Sequence, residues 1–279
     1  MTARYVEKHV YESFGVRFVI RSNEREVSER LNAFLPSGSR RLEDEEVDRE
    51  TLRSLTSFSI GQTPDGYYWC LLANRRIVRV SRVLGNVLHN LRGELVSHVG
   101  KLAQDRIFVH AGAVGWKGRA IILPGDSMAG KSTLVAALLR AGATYYSDEI
   151  AVLDAHGLLH PYARNLQMRE PNSLVQRSAT VTKIAGKGAR VGEQPLPVGL
   201  IVFSQFVKDS PWQTERLTPG LAMVNGMRHT YPARVSPSRA LQTWAHAVEG
   251  AAAWLWKRGD AREAAWKLLQ TMETGTPSI

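Results

Sequence analysis

Residues 125–132 form a glycine-rich segment whose spacing is typical of a phosphate-binding loop. The segment reads Gly-Asp-Ser-Met-Ala-Gly-Lys-Ser, and its two glycines let the backbone wrap tightly and point N–H groups at phosphate oxygens. Lys131 is expected to reach the β- and γ-phosphates, and the Ser132 hydroxyl is expected to bind Mg²⁺. We therefore predict binding of ATP or GTP with Mg²⁺. The predicted nucleotide-binding residues are Gly125, Asp126, Ser127, Met128, Ala129, Gly130, Lys131, Ser132 and Thr133.

The elements on either side of this loop support the prediction. The apolar run Ala-Ile-Ile-Leu at 120–123 indicates a buried strand that enters the loop. Residues 131–141 are rich in Ala and Leu, which indicates a helix that leaves it, and Gly142 is expected to end that helix. The positive N-terminal end of such a helix attracts phosphate. A chance match to the loop pattern would not require this strand–loop–helix context.

Polar residues at the ends of two other predicted strands complete the candidate chemistry. His110 is placed where one strand ends, and Asp148-Glu149 follow the strand predicted at 144–147. Because ligands bind beyond the carboxyl ends of strands in a twisted sheet, we expect both positions to flank the loop's strand and face the γ-phosphate. The alternatives are a hydrogen-bonded core histidine and a helix-capping aspartate. The loop that lies between the two positions in the sequence favours the functional interpretation.

Together these residues resemble the catalytic domain of the HPr serine kinase/phosphorylase family. The resemblance rests on Val109-His110-Ala111-Gly112, on the loop at 125–132 and on Tyr146-Ser147-Asp148-Glu149. It is close over residues 106–155 and weaker over 156–235. It implies a fold similar to that of phosphoenolpyruvate carboxykinase.

The resemblance also implies roles for individual residues. Asp148 matches the general base that takes the proton of an attacking serine hydroxyl, and His110 matches the histidine beside that carboxylate and the γ-phosphate. Lys131 and Ser132 match the phosphate and Mg²⁺ ligands. Arg169 matches the arginine of a downstream family element.

The sequence departs from the family pattern at several positions. Glu149 replaces a second aspartate and is a longer arm that could serve the metal. Gln167 replaces a glutamate of the downstream element, whose glycines are also absent, and Glu170 is the candidate to take over metal binding there. The family's dephosphorylation loop is not evident. The chain therefore fits better with relatives that modify targets other than HPr, including peptides in natural-product pathways.

The pattern of apolar residues predicts a mixed α/β (or α+β) chain of two domains. Residues 1–83 are expected to form a small α+β N-terminal domain, and 84–279 a P-loop kinase domain of the HPr-kinase type. Apolar residues recur three or four apart over 84–103, which predicts a helix. Further predictions are a helix at 24–34, an exposed acidic loop at 43–50, strands at 16–20, 52–61, 66–82, 106–114, 150–153 and 198–203, and a helical region at 238–271.

Charge and composition limit the partners. The 279 residues carry a formal net charge of +10, which favours an acidic or polyanionic ligand. The Gly- and Lys-rich segment 177–194 is expected to be mobile and could bind an acidic peptide. No nucleic-acid module and no membrane-spanning apolar run is evident, and residues 1–12 do not resemble a secretory signal, so we expect a cytoplasmic protein. Homo-oligomer formation stays open.

Two classes of function remain at this stage. The first is an ATP-dependent kinase that acts on a hydroxyl, with a serine of a peptide or protein preferred over a small-molecule sugar or amino-acid hydroxyl. The second is a nucleotide-binding sensor or assembly module with little turnover. A carboxylate base beside the γ-phosphate discriminates between them, because a sensor does not need one.

Overall fold

The computed structural model describes residues 7–126, 129–164, 166–169, 176–208 and 212–275. The chain is mixed α/β, as expected, and divides into two compact units, residues 1–104 and 105–279. This division lies after the helix predicted at 84–103, whereas the sequence-based division lies before it. Within the described residues, no helix combines the length and apolar character needed to cross a bilayer.

The first unit contains a six-stranded sheet and three α-helices. Its elements are β1 (Glu7–Ser13), β2 (Val16–Ser22), α1 (Arg25–Leu31), β3 (Arg40–Leu42), α2 (Arg49–Ser54), β4 (Ser57–Gln62), β5 (Trp69–Ala73), β6 (Arg76–Ser81) and α3 (Leu84–Leu102). The strand order is β3-β1-β2-β4-β5-β6. The predicted helix at 84–103 is confirmed as α3, which buries Val87, Leu91 and Leu95 completely and contacts β5 and β6.

Two predictions in this unit were wrong in detail. The acidic segment expected to be a loop contains a short 3₁₀ turn, Asp44–Glu46, and the start of α2, so the next strand begins only at Ser57. The strand predicted over 66–82 is a hairpin, because Asn74 and Arg75 both adopt positive φ angles and reverse the chain. Positive φ at two consecutive residues is the geometry that tight hairpins require.

The second unit is built on a larger mixed sheet. Its elements are β7 (Arg106–Trp116), β8 (Arg119–Pro124), α4 (Lys131–Arg140), β9 (Thr144–Ser147), β10 (Ile150–Asp154), β11 (Leu159–His160), β12 (Leu166–Arg169), β13 (Gln176–Ala179), α5 (Val181–Ala185), β14 (Val198–Phe206), β15 (Gln213–Arg216), α6 (Pro219–Arg228), α7 (Pro237–Glu249), β16 (Ala252–Arg258) and α8 (Ala261–Thr274). The order is β11-β10-β7-β8-β14-β16-β15, and β9 also pairs with β7; β12 and β13 form a separate hairpin.

Helices cover both faces of the larger sheet. On one face, α4 and α8 pack with Leu134, Leu138 and Leu268 in a single apolar cluster. On the other face, α6 and α7 pack around the fully buried Trp244. β8, β14 and β16 run parallel, and β9 runs in the same direction because both it and β8 are antiparallel to β7. The carboxyl ends of these strands therefore lie at one edge of the sheet.

The prediction of a continuous helical region at 238–271 was wrong. The chain forms α7, then the strand β16, then α8. Trp254 and Trp256 alternate along the strand and enter the same apolar cluster, while Ala253 enters the cluster on the opposite face. Gly250 and Gly259 lie at the two boundaries where the pattern changes. In the sequence, the Ala-rich stretch hid this two-residue period.

The basic segment 177–194 contains regular structure. It includes most of β13 and the helix α5, whose Val181 is buried. Near its end, the segment makes two backbone hydrogen bonds with Tyr145 of β9. The Arg190 carbonyl accepts from the Tyr145 N–H at 2.8 Å, and the Gly192 N–H donates to the Tyr145 carbonyl at 2.7 Å. The end of the segment is therefore hydrogen-bonded to the sheet beside β9.

Close packing of α4 on β7 yields a stability prediction. A Cβ atom at Gly112 would lie 2.7 Å from Val135 Cγ2 of α4, so Gly112→Ala must displace the Val135 side chain in the helix that follows the loop. We expect it to lower the free energy of unfolding by about 1–3 kcal/mol, measured by urea denaturation. Gly220→Ala in α6, where a Cβ would meet open space, is the matched control and should change stability by less than about 1 kcal/mol. Equal stability of the two variants would contradict this account of the packing.

Candidate phosphate-binding site

The glycine-rich loop connects β8 to α4 at the edge of the sheet where the parallel strands end. Ser127 and Met128 of the predicted set lie outside the described residues. Gly130 is the N-cap of α4, with φ of +80° and no side-chain capping bond. The first N–H groups of a helix have no partner within the helix, so this terminus is suited to an anion. In that first turn, Ser132 is half-buried and Thr133 is exposed.

The Lys131 side chain is folded back across this loop. Its ammonium donates to the carbonyl oxygens of Gly125 and Asp126 at 2.8 and 2.7 Å, and its Nζ lies 3.5 Å from His110 Nε2. Burial lowers the pKa of Lys131 to about 8, although the carboxylates of Asp126, Glu149 and Asp148 oppose the shift. The lysine is therefore a desolvated cation whose described partners are neutral groups, and anionic phosphate oxygens would be better acceptors.

His110 lies within β7 rather than at its end, because that strand continues to Trp116. It nevertheless occupies the point where the neighbours of β7 change. The Gly125 N–H donates to the His110 carbonyl at 3.3 Å, and the next residue, Ala111, donates its N–H to the Glu149 carbonyl at 3.0 Å. Burial, followed by the nearby Lys131 charge, lowers the pKa of His110 to about 4. The imidazole is therefore neutral at pH 7 and can accept a hydrogen bond from Lys131.

Asp148 and Glu149 lie between β9 and β10, and both of these strands pair with β7. The sequence-based expectation that Asp148 follows a strand flanking β8 was therefore wrong by one strand. Asp148 is buried, and its Oδ1 accepts a hydrogen bond of 3.0 Å from the Tyr145 hydroxyl. The side-chain contact described for His110 is with Lys131.

The predicted metal ligands are only partly described. Arg169 ends β12, but its side chain is not described, and Glu170 lies outside the described residues. Glu149 is half-buried. Among the described residues, no group of three or more His, Cys, Asp or Glu side chains is arranged to hold a metal ion.

Sequence reasoning missed His229. Where β8 leaves the sheet, the chain at 229–230 takes its place beside β7, because the His110 N–H donates to the His229 carbonyl at 2.8 Å and Thr230 bridges to Val109. His229 Nδ1 lies 3.4 Å from Asp126 Oδ1. Burial lowers the pKa of His229, with a smaller contribution from Lys131 in the same direction. No local spacing marks this histidine, because a long-range pairing brings it to the loop.

A hydrogen-bonded threonine fixes this segment. The Trp244 indole N–H donates to Thr230 Oγ1 at 2.9 Å, and the Thr230 hydroxyl donates to the Gly226 carbonyl at 2.8 Å. All three groups are within the apolar layer formed by α6 and α7. The position of His229 opposite the loop is therefore set by the core and not by the loop itself.

Arg258, at the end of β16, is the second residue that the sequence did not reveal. Its side chain is buried, with 1% exposure, and it donates to the Gly130 carbonyl at 3.0 Å, to Ser204 Oγ at 2.9 Å and to the Gly259 carbonyl at 3.2 Å. All three acceptors are neutral, and burial lowers the pKa of the guanidinium. The arginine fixes the N-cap of α4 and places a poorly compensated positive charge beneath the loop. Recognition of β16 as a strand parallel to β8 would have been needed to find it.

Comparisons with known proteins add little to this geometry. No protein-family model matches the chain, and no curated protein matches it. Among solved structures, the chain is similar to the Hpr(Ser) kinase/phosphatase from Coxiella burnetii, with 16% identity and a TM-score of 0.32, over 60% of this chain and 94% of that one. A similarity of this size carries no argument about the fold or the function of this chain. The chemistry of the site therefore has to be argued from its own residues.

The lowered pKa of Lys131 yields a prediction for pH dependence. The lysine is protonated below about pH 8 and loses its proton as the pH rises through that value, while bound phosphate favours the charged form. We expect the affinity for ATP to be constant near about pH 7 and to fall by up to about tenfold per pH unit above about pH 8. Calorimetric titrations across this range would measure the effect.

Lys131→Arg is the matched control for this experiment. Arginine keeps its proton throughout the range, so this variant should bind ATP with an affinity that does not depend on pH, even if the affinity is weaker. A wild-type dissociation constant that is the same at about pH 7 and about pH 9.5 would contradict the assignment of Lys131 as the titrating phosphate ligand.

The buried guanidinium yields a second prediction. Arg258→Met should weaken ATP binding by about tenfold or more, since it removes a desolvated charge beneath the loop. The free energy of unfolding should change by less than about 1 kcal/mol, because the lost hydrogen bonds are offset by relief of the buried charge. Arg262→Met, which alters an exposed arginine of α8, should leave both quantities unchanged. Unaltered ATP affinity in Arg258→Met would refute this role.

Proposed function

We propose that this protein is a phosphotransferase that moves the γ-phosphoryl group of ATP, or of GTP, to the hydroxyl of a serine in a peptide or protein. The observation that carries the proposal is the convergence of Lys131, His110 and the Asp148-Glu149 turn around one loop. Two hydrogen bonds connect these parts: the Gly125 N–H donates to the His110 carbonyl, and the Ala111 N–H donates to the Glu149 carbonyl. A binding site for a phosphate alone would not need a buried carboxylate on the adjoining turn.

The loop and the start of α4 provide the binding half of the mechanism. Backbone N–H groups of the first helical turn would donate to the β-phosphate, and the Lys131 ammonium would exchange the carbonyls of Gly125 and Asp126 for phosphate oxygens. Ser132, with Glu149, would hold Mg²⁺ against the nucleotide, and the ion would neutralise charge on the β- and γ-oxygens. Because the Arg258 guanidinium donates a hydrogen bond to the Gly130 carbonyl, the end of the loop is held in place before the nucleotide would bind.

Asp148 provides the catalytic half. The oxygen of the acceptor hydroxyl bonds to the γ-phosphorus while the bond from that phosphorus to the β,γ-bridging oxygen breaks, and the nucleoside diphosphate leaves. Asp148 accepts the proton of the hydroxyl. The Tyr145 hydroxyl holds Oδ1 and so orients the carboxylate. Neutral His110 stabilises the position of Lys131, since its Nε2 lies 3.5 Å from the ammonium. This differs from the expected role of His110 as a direct partner of Asp148.

A peptide acceptor is favoured by charge. The formal net charge of +10 attracts acidic segments over small neutral sugars. The segment 177–194 contains Lys183, Lys187 and Arg190. Its end is hydrogen-bonded to Tyr145 of β9, the strand that directly precedes Asp148. This basic segment is therefore a candidate to guide an acidic acceptor toward the carboxylate.

Asp148→Asn tests the proposed reaction. The substitution keeps the shape of the side chain and removes its basicity, so it should leave ATP affinity nearly unchanged and reduce turnover by about 10²–10⁴-fold. The assay follows label from γ-labelled ATP to serine-containing peptides. His110→Ala should cost less, because it perturbs only the position and charge of Lys131.

Asp105→Asn is the control for this experiment, since Asp105 is an exposed carboxylate that pairs with Arg106 on the surface. It should transfer label at the wild-type rate. If Asp148→Asn also transfers label at that rate, Asp148 is not the base. If the wild-type protein binds ATP but transfers no label to any hydroxyl, the sensor alternative replaces the kinase proposal.

A further inference from the structure

The strand β6 is a free edge of the sheet in the first unit. It is the last strand in the order and, among the described residues, pairs with β5 alone. Its burial pattern is exposed or half-buried at all six positions from Arg76 to Ser81. An edge strand of this kind carries a row of unpaired backbone N–H and C=O groups, which can pair with another extended chain.

The pairing with β5 assigns the side chains of β6 to two faces. Arg76 lies opposite Ala73 and Arg79 opposite Leu71, so these two arginines share one face. Ile77 lies opposite Leu72, and Val80 lies opposite Cys70, so these two apolar residues share the other face. The register shifts at Val78, and this bulge keeps the two sets separate.

The side chains of both sets are exposed. Ile77 is 62% exposed and Val80 is 45% exposed, which is high for β-branched apolar residues. Val83, just beyond the strand, is 57% exposed. The edge therefore presents an apolar row and a basic row to any strand that pairs with it.

The charge of this edge is of one sign. Residues 66–93 contain no Asp or Glu, while Arg75, Arg76, Arg79 and Arg82 lie in or beside the strand. Arg82 stacks over the Tyr68 ring, 5.4 Å from its centroid. No ion pair joins Arg75, Arg76 or Arg79 to a carboxylate in the part of the chain that the structure describes. A second copy of this chain would bring arginines against arginines across the edge, which is unfavourable.

We propose that β6 binds an extended acidic peptide segment as an added strand of the sheet. Its acidic residues would lie on the face of Arg76 and Arg79, and its apolar residues on the face of Ile77 and Val80. Since side chains alternate between faces along a strand, the partner segment has acidic and apolar residues in alternation. This surface lies in the first unit and does not depend on the proposed phosphotransfer.

A designed peptide tests the surface directly. The probe is a labelled peptide of about ten residues with alternating Glu and Val, titrated with the full chain and followed by fluorescence anisotropy. We expect saturable binding that is the same with and without ATP. A peptide of the same composition with its glutamates in one block should bind at least about tenfold more weakly, because it cannot match both faces. Backbone N-methylation of the alternating peptide should also abolish binding, because strand addition needs its N–H groups.

Charge reversal provides the second arm of the test. The double variant Arg76→Glu with Arg79→Glu should lose at least about tenfold in affinity for the Glu/Val peptide and gain affinity for the corresponding Lys/Val peptide. The control reverses two exposed charges elsewhere in the same unit, Arg53→Glu with Lys101→Glu, and should bind the Glu/Val peptide like the wild type. The peptide comparisons use the wild-type chain, so they decide the question even if the double variant does not fold.

Several results would overturn the proposal. One is an absence of binding, which would indicate that the arginines only prevent two molecules of this protein from pairing along β6. Another is equal affinity for the alternating, blocked and N-methylated peptides or for a single-stranded oligonucleotide, which would indicate unspecific attraction to negative charge. A third is a dimer in light scattering that dissociates in the double variant, since the edge would then be occupied by a second copy.

Discussion

The point at which β8 leaves the sheet, opposite Ala111, is the constraint on which the site depends. The strand β7 is eleven residues long, and β8 accompanies it only from Trp116 back to Ala111. Beyond that point the edge of β7 is taken over by the Thr230–Val109 bridge and by the hydrogen bond from His110 to His229. The loop, the two histidines and Lys131 meet because one long strand exchanges one neighbour for another.

Desolvation decides the charges in this site more than any single ion pair does. Burial is the largest cause of the lowered pKa of His110, of His229 and of Lys131. The outcome is two neutral imidazoles beside a lysine whose pKa is lowered to about 8, with the buried Arg258 below the loop. Such an arrangement is costly without an anion, since buried cations bonded to neutral oxygens forgo their hydration. A bound polyphosphate would relieve that cost at several groups at once. Under the proposal that the loop binds nucleotide, the same buried charges therefore affect both the stability of the protein and its affinity for nucleotide.

The sequence predicted the parts of the site that depend on local pattern. The strand, loop and helix around residues 120–140 follow from an apolar run, two glycines and an Ala/Leu-rich helix, and α3 follows from its three-to-four spacing. The strand β16 was missed because alternation of tryptophans in an alanine-rich stretch resembles helical spacing, and Arg258 was missed with it. His229 could not be found from local pattern at all, because its position is fixed by Trp244 and Thr230 through contacts far apart in the sequence. The roles of Ser127, Met128, Arg169 and Glu170 stay predictions.

Charge is the clearest case in which composition and structure give different information. The net charge of +10 indicates an acidic partner without saying where it binds, and the sequence alone pointed to the basic segment 177–194 as its binding site. In the folded chain, the register of β6 with β5 places Arg76 and Arg79 on one face of the strand and Ile77 and Val80 on the other. Four positive charges in a row of residues would attract any polyanion. Arg76 and Arg79 on one face of a free edge, with Ile77 and Val80 on the other face, would select for a partner that can hydrogen-bond as a strand and alternate its side chains, which folded nucleic acids and phosphate ions cannot do.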